Sequence, residues 1–275
     1  MAKLPVYHQA VEAQPICRGS DRTQRFYGRW IMKFDLPKCT LESGRGGDYQ
    51  LHVSDLSPTQ NAVGMDEVKT KTKRIRRRNK KELKHYLYLR PVPVVIGQDK
   101  FFLIDRHHMS RSLWEAAGKD NDSGLKRKNV RVVVRVVENW QFIRSPNQFW
   151  RAMDKKHWVY PYDHGGGGPL NVKRLKKHVE DLENDPYRSL AWYVRQRFGY
   201  FKDPSNPIFA EFKWANFFRT RVELGDEMFD PESGVDLEEV LIEKLDQDDK
   251  DEVVAYALAL ARSNQARGLP GYAGS

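Results

Sequence analysis

Two short apolar runs, residues 92–96 and 101–104, are joined by Gly97-Gln98-Asp99-Lys100 and followed at once by Asp105-Arg106-His107-His108. Apolar runs of this length on either side of a Gly-containing loop read as a β-hairpin. Residues 107–117 then carry Met109, Leu113 and Ala117 on one helical face, with Gly118 as the stop. The second strand therefore delivers polar side chains to the start of a helix. Free backbone N–H groups and the positive end of the helix dipole make such a start an anion site.

The flanking segments extend this unit into an α+β core. Residues 49–53 read as a strand, closed by the turn at Ser57-Pro58, and 63–79 and 80–89 read as helices that end before Arg90-Pro91. A β-branched run at 130–137 reads as a buried strand. The expected divisions are an irregular lead-in over 1–48 with one strand near 26–34, the core over 49–145, an aromatic-rich helical extension over 146–225 and an acidic helical tail over 226–275. Within the last two, helices are expected at 146–155, 186–198, 207–221, 237–245 and 252–262, and 268–275 reads as disordered.

Charge is segregated along the chain. Residues 226–252 hold thirteen Asp/Glu against two Lys, a balance of −11, so the rest of the chain carries +21 within a total of +10. A body this basic predicts an anionic ligand or partner. No stretch approaches the roughly 20 apolar residues of a membrane helix. Cys17 and Cys39 fit no metal or redox spacing and predict reduced thiols in a cytoplasmic protein.

Candidate site residues cluster on the helix start. Arg106 and Arg111 are charge-assisted donors suited to phosphate or carboxylate, with Ser110 beside them. His107 and His108 titrate near neutrality, so either can act as acid or base, with Asp105 orienting it or simply capping the helix. Adjacent histidines diverge on a helix, so at most one is expected to act, and no metal site is expected from the pair. Thr59 and Gln60 either contact the ligand or form a turn, and Glu67 and Lys71, one helical turn apart, either pair at the surface or place Lys71 on the anion. Asp163-His164 before Gly165–Gly168 reads as a lid over the site or as a plain flexible loop. Nine of the thirteen residues in 69–81 are Lys or Arg, either a solvated helix or a sequence-independent polyanion contact. The aromatic residues between Trp192 and Phe218 are packing faces or the wall of an apolar pocket.

Several of these segments together resemble the ParB-like nuclease family of the ParB/sulfiredoxin-like superfamily. The run from Leu56-Ser57-Pro58-Thr59-Gln60 through Gly64, Glu67, Val68 and Lys71 is similar to its opening motif. Pro93-Val94-Val95-Ile96 with Phe102-Leu103-Ile104-Asp105-Arg106-His107-His108 is similar to its second. Phe149-Trp150, Asp185-Pro186-Tyr187-Arg188-Ser189-Leu190-Ala191 and Phe209-Ala210-Glu211-Phe212-Lys213-Trp214 look like its downstream signatures. The resemblance implies a ParB/sulfiredoxin-like mixed sheet with helices, plus a helical C-terminal extension. It also implies a helix start that cradles nucleotide phosphates. Many superfamily members have Gly where Arg106 stands and basic residues where His107 and His108 stand, a departure that favours histidine acid/base chemistry.

The function expected is an enzyme binding a nucleotide or other phosphate-bearing anion, with Mg²⁺ if the ligand is a nucleotide. In it, the catalytic residues are His107 or His108, which transfers a proton, and Asp105, which orients it, while Arg106, Ser110, Arg111, Thr59, Gln60 and Lys71 hold the anion. The alternatives are a DNA-binding, partition-like or nuclease module using residues 69–81, and a small-molecule lyase or cyclase on the same fold.

Overall fold

The hairpin expected at the centre of the chain is the centre of the sheet. The computed structural model describes residues 33–118, 125–202, 209–222 and 242–274. In chain order its elements are strands β1 (Asp48–His52), β2 (Leu56–Pro58) and β3 (Ala62–Val63), then helices α1 (Met65–Arg76) and α2 (Lys80–Tyr88). The hairpin β4 (Val92–Gly97) and β5 (Lys100–Leu103) leads into α3 (His107–Ala116), and β6 (Arg131–Asn139) and α4 (Pro146–Lys155) follow. The later elements are β7 (Glu183–Asn184), α5 (Pro186–Gln196), α6 (Ala210–Arg219) and α7 (Gln247–Arg262).

The main sheet runs β1-β6-β4-β5-β2 and is mixed: β1–β6 and β4–β5 are antiparallel, β6–β4 and β5–β2 parallel. A separate parallel pair, β3–β7, ties the start of α1 to the start of α5. This is the α+β, ParB/sulfiredoxin-like arrangement expected.

Alternation along the hairpin sends side chains to both faces. Val94, Ile96 and Leu103 join the large core beneath α1, α2 and α3, while Val95 and Phe102 face Phe149 and Met153 of α4. Burying each such side chain contributes about 1.5–3 kcal/mol. Gly97 has to be glycine for space, since a Cβ there would lie 2.3 Å from the Phe149 ring. Asn79 separates α1 from α2 through a capping box with Glu82, which gives the continuous basic run its break. A third, aromatic core joins α5, α6 and α7 around Tyr187, Trp214, Phe217 and Phe218.

Three expectations change here. The end of the chain is ordered through residue 274: Trp214 Nε1 donates to Pro270 O at 2.7 Å, and Phe201 N donates to Gly271 O at 2.8 Å. Aromatic partners on α6 hold a segment whose composition reads as disordered. The end of the lead-in also packs, with Phe34 and Cys39 fully buried in the main core. Near 237–245 the described part is a 3-10 turn, Ile242–Lys244, and residues 237–241 lie outside the described residues, as do residues 26–32 of the strand expected at 26–34. Among the described residues no helix is long and apolar enough to cross a membrane.

Candidate functional site

Strand β5 ends at Leu103, and the chain must turn sharply to enter α3. Arg106 makes that turn as the residue before the helix, at φ 66° and ψ 28° in the left-handed region, and Asp105 accepts its backbone N–H at 2.6 Å. An L-residue with a side chain pays roughly 1–2 kcal/mol there, a cost that glycine avoids. Arg106→Gly is therefore expected to raise stability by about 1 kcal/mol in urea unfolding, unlike Arg106→Ala, while both lose the guanidinium.

Above the turn lies a cleft of about 820 Å³. Its floor is Asp105, Arg106, His107 and His108, and its core-side wall carries Gln60, Glu67, Lys71, Tyr86 and Arg90. The opposite wall comes from α5 (Arg188, Arg195), the strand-like Tyr200-Phe201-Lys202, and Phe209, Glu211 and Phe212 at α6. Of the six non-glycine residues with positive φ among the described residues, Arg106 and Phe209 line the cleft; Phe209 has φ 70°, and its ring lies 6.2 Å from that of His107. Strained backbone of this kind concentrates at functional sites.

Both histidines line the cleft, against the expectation that one turns away, and both are buried. Thr59 N–H donates to His107 Nε2 at 3.2 Å, and Gly64 N–H donates to His108 Nε2 at 2.9 Å. Gly64 permits this by its lack of a side chain, since a Cβ would stand 2.7 Å from Ser189 N. Burial pushes His107 down to about 3, against the opposing pull of Asp105, and drives His108 down as well.

Six basic side chains face the cleft against three carboxylates. Glu67 pairs with Lys71 at 2.6 Å and lies 3.7 Å from Arg195, while Arg195 and Arg188 both pair with Glu211. Burial works to raise the Glu67 carboxyl, but the Lys71 and Arg195 cations beside it hold it well below the usual range. Arg90, Arg106 and Lys202 have no ion pair among the described residues, although Arg90 stacks on Tyr86 at 4.4 Å. Partial burial lowers Arg106, and Lys202 is lowered as well at the exposed rim of the cleft.

Other expected site residues stand elsewhere. Arg111 does not line the cleft: it bonds Glu115 at 2.9 Å and donates to the carbonyls of Val179, Glu180 and Leu182, fastening α3 to a neighbouring turn. Ser110 is fully buried and does not line the cleft. Thr59 acts beneath His107, with its Oγ1 donating to Leu103 O at 2.8 Å, and Gln60 lines the wall while donating to Ala62 O. Asp163 closes its own glycine turn through Gly167 N–H, and His164 sits 3.1 Å from Glu183, so neither closes over the cleft. Among the described residues no three His, Cys, Asp or Glu side chains are grouped as for a metal ion.

Arg188, Arg195, Lys202 and Glu211 were not identified as site residues by sequence reasoning. The seven-residue interval between Arg188 and Arg195 on one helix, with Asp185-Pro186 opening it, was the available signal, because that spacing places both on one face.

A sheet of this order, with a strand-to-helix turn opening into a basic cleft, defines the chain as a ParB/sulfiredoxin-like α+β protein. Residues 49–220 match the family described as "Putative ParB-like nuclease", and the chain belongs to it. A solved structure, protein Atu1540 from Agrobacterium tumefaciens, is similar at 31% identity and a TM-score of 0.63, covering 83% of this chain and 99% of that one. No curated protein matches.

Proposed function

We propose that the cleft binds a nucleotide or other phosphate-bearing anion and that the protein is an enzyme of phosphoryl chemistry. One observation carries this: the start of α3 opens into a cleft where Arg90, Arg106 and Lys202 converge without an ion pair among the described residues. Arg106 is half-buried while Arg90 and Lys202 stand at the exposed rim, and a phosphate would give all three a charge partner. Tyr86, Tyr200, Phe201 and Phe209 offer apolar surface for the rest of the ligand. Phosphoryl transfer asks a protein mainly for positioning and for stabilisation of charge on the phosphoryl oxygens, which these groups supply. Mg²⁺ would come with the phosphates; Asp105 is the cleft carboxylate not engaged by an ion pair. A free, buried Cys39 suits a cytoplasmic setting.

The test is a thermal-shift screen with nucleoside di- and triphosphates and pyrophosphate, with and without Mg²⁺. A ligand at 100 times its Kd adds about 2.7 kcal/mol. The shift is expected to vanish in Arg106→Ala and Lys202→Ala and to persist in Arg151→Ala, on exposed α4 surface. No shift with any of these compounds would sink the proposal. A shift with duplex DNA alone would favour the second reading, carried by the exposed Arg74, Arg76, Arg77 and Lys81 where α1 meets α2.

A further inference from the structure

We infer that His107 and His108 are fixed as neutral imidazoles protonated on Nδ1, and that they meet the bound phosphate as hydrogen-bond donors, not as acid or base; this rests on the phosphate-binding role of the cleft. Two backbone amides dictate it. Thr59 N–H lies 3.2 Å from His107 Nε2, and Gly64 N–H lies 2.9 Å from His108 Nε2. An amide N–H only donates, so each Nε2 must offer its lone pair, and the one proton of a neutral ring then sits on Nδ1. Neither amide has a second acceptor among the described residues, so protonating Nε2 would orphan a buried N–H.

The far side of each ring is free for a ligand. Neither Nδ1 has a hydrogen-bond partner among the described residues, neither is sealed from the cleft, and both rings line it. The charged neighbours of His107 are Asp105 and Arg188; those of His108 are Glu67, Lys71 and Arg188. Glu67 Oε2, 3.4 Å from His108 Nε2, is then a second acceptor facing an acceptor, tolerated because Lys71 and Arg195 neutralise the carboxylate.

Beside the Asp105 carboxylate, the floor of the cleft therefore presents donors: two Nδ1–H groups, the Arg106 guanidinium and the first N–H groups of α3. A fully ionised phosphoryl group, all acceptor, is the complement. The histidines stabilise charge on its oxygens and take no proton from the substrate.

Nitrogen-15 NMR of the full chain with labelled histidine reads the tautomer directly and needs no ligand. Signals are assigned by their loss in His107→Gln and His108→Gln. Both rings are expected to carry the proton on Nδ1 at neutral pH and to stay neutral down to about pH 5, well below the ordinary value of about 6.5. A proton on Nε2 of either ring, or titration above pH 6, would overturn the inference. Pyrophosphate affinity supplies the second arm. His107→Asn keeps an N–H near the Nδ1 position, whereas His107→Gln keeps an acceptor for Thr59 and loses that donor. The Gln variant is expected to bind about 10-fold more weakly and the Asn variant within about 3-fold of the unaltered protein. The reverse order overturns the donor role. No pyrophosphate binding by the unaltered protein overturns it together with the phosphate-binding role, while the NMR result still decides the tautomer.

Discussion

Glu67→Ala is expected to lower stability by about 3–5 kcal/mol, about 10 °C in melting temperature, the largest effect of any single change at the cleft. Glu67 is 4% exposed and is the shared partner of Lys71 and Arg195. Without it, two partly buried cations from α1 and α5 face each other with only Glu211 left on the α5 side. Breaking one side of a buried ion network costs more than the network contributes when intact, because the remaining charges stay desolvated. Glu243→Ala is the natural comparison. It also pairs with two lysines, Lys69 at 2.8 Å and Lys73, but Glu243 is itself far more exposed than Glu67, and the loss should stay below about 1 kcal/mol. Urea unfolding of the two variants side by side checks this. Equal losses would mean that Glu67 does not organise the cleft.

Acid should weaken the protein well above the range in which carboxylates titrate. His107 is held down to about 3, and His108 is lowered in the same direction, both by burial. In the unfolded chain each takes a proton near pH 6.5, which the folded protein refuses. Their contribution is fully present above pH 6.5 and is lost as pH falls from there toward the folded values. The slope is about 1.4 kcal/mol per pH unit for each ring. Glu67, held below its ordinary 4.5, adds its own loss only below that value. Asp66 and Asp185, raised by burial, act in the opposite sense as they protonate. Between about pH 6.5 and 4.5 the net slope is the loss from the histidines less the gain from Asp66 and Asp185. Urea unfolding across this window should show a steep loss for the unaltered protein and a slope smaller by about 1.4 kcal/mol per unit in His107→Gln. An unchanged slope in that variant would show that His107 is not held neutral by the fold.

The part of this protein nearest the hairpin is legible in its local sequence. Alternating apolar residues at 92–96 and 101–104, a loop with Gly97 and a helical face from Met109 to Leu113 depend on neighbours within a few residues, and they form as expected. Asp105 and Arg106 at the strand-to-helix turn are legible for the same reason, as are the boundaries of α4, set by Ser145 and Pro146.

What local sequence did not determine was which side chains meet across the cleft. Arg188 and Arg195 lie more than 80 residues beyond Arg106, and the pairing of β3 with β7, with Asp66 N–H donating to Ser189 Oγ, brings α5 against α1. Arg111 looked like an anion ligand because it shares a helix with Arg106; the rotation of α3 against the sheet turned it onto backbone carbonyls instead. The state of the two histidines was hidden most completely. Residue type sets an ordinary imidazole that titrates near neutrality, but burial and two amide donors from Thr59 and Gly64, more than 40 residues away in sequence, determine where the proton sits. Chain-local forces wrote the helix start into the sequence, and long-range packing, which desolvates and pairs its polar groups, decided what that helix start can do.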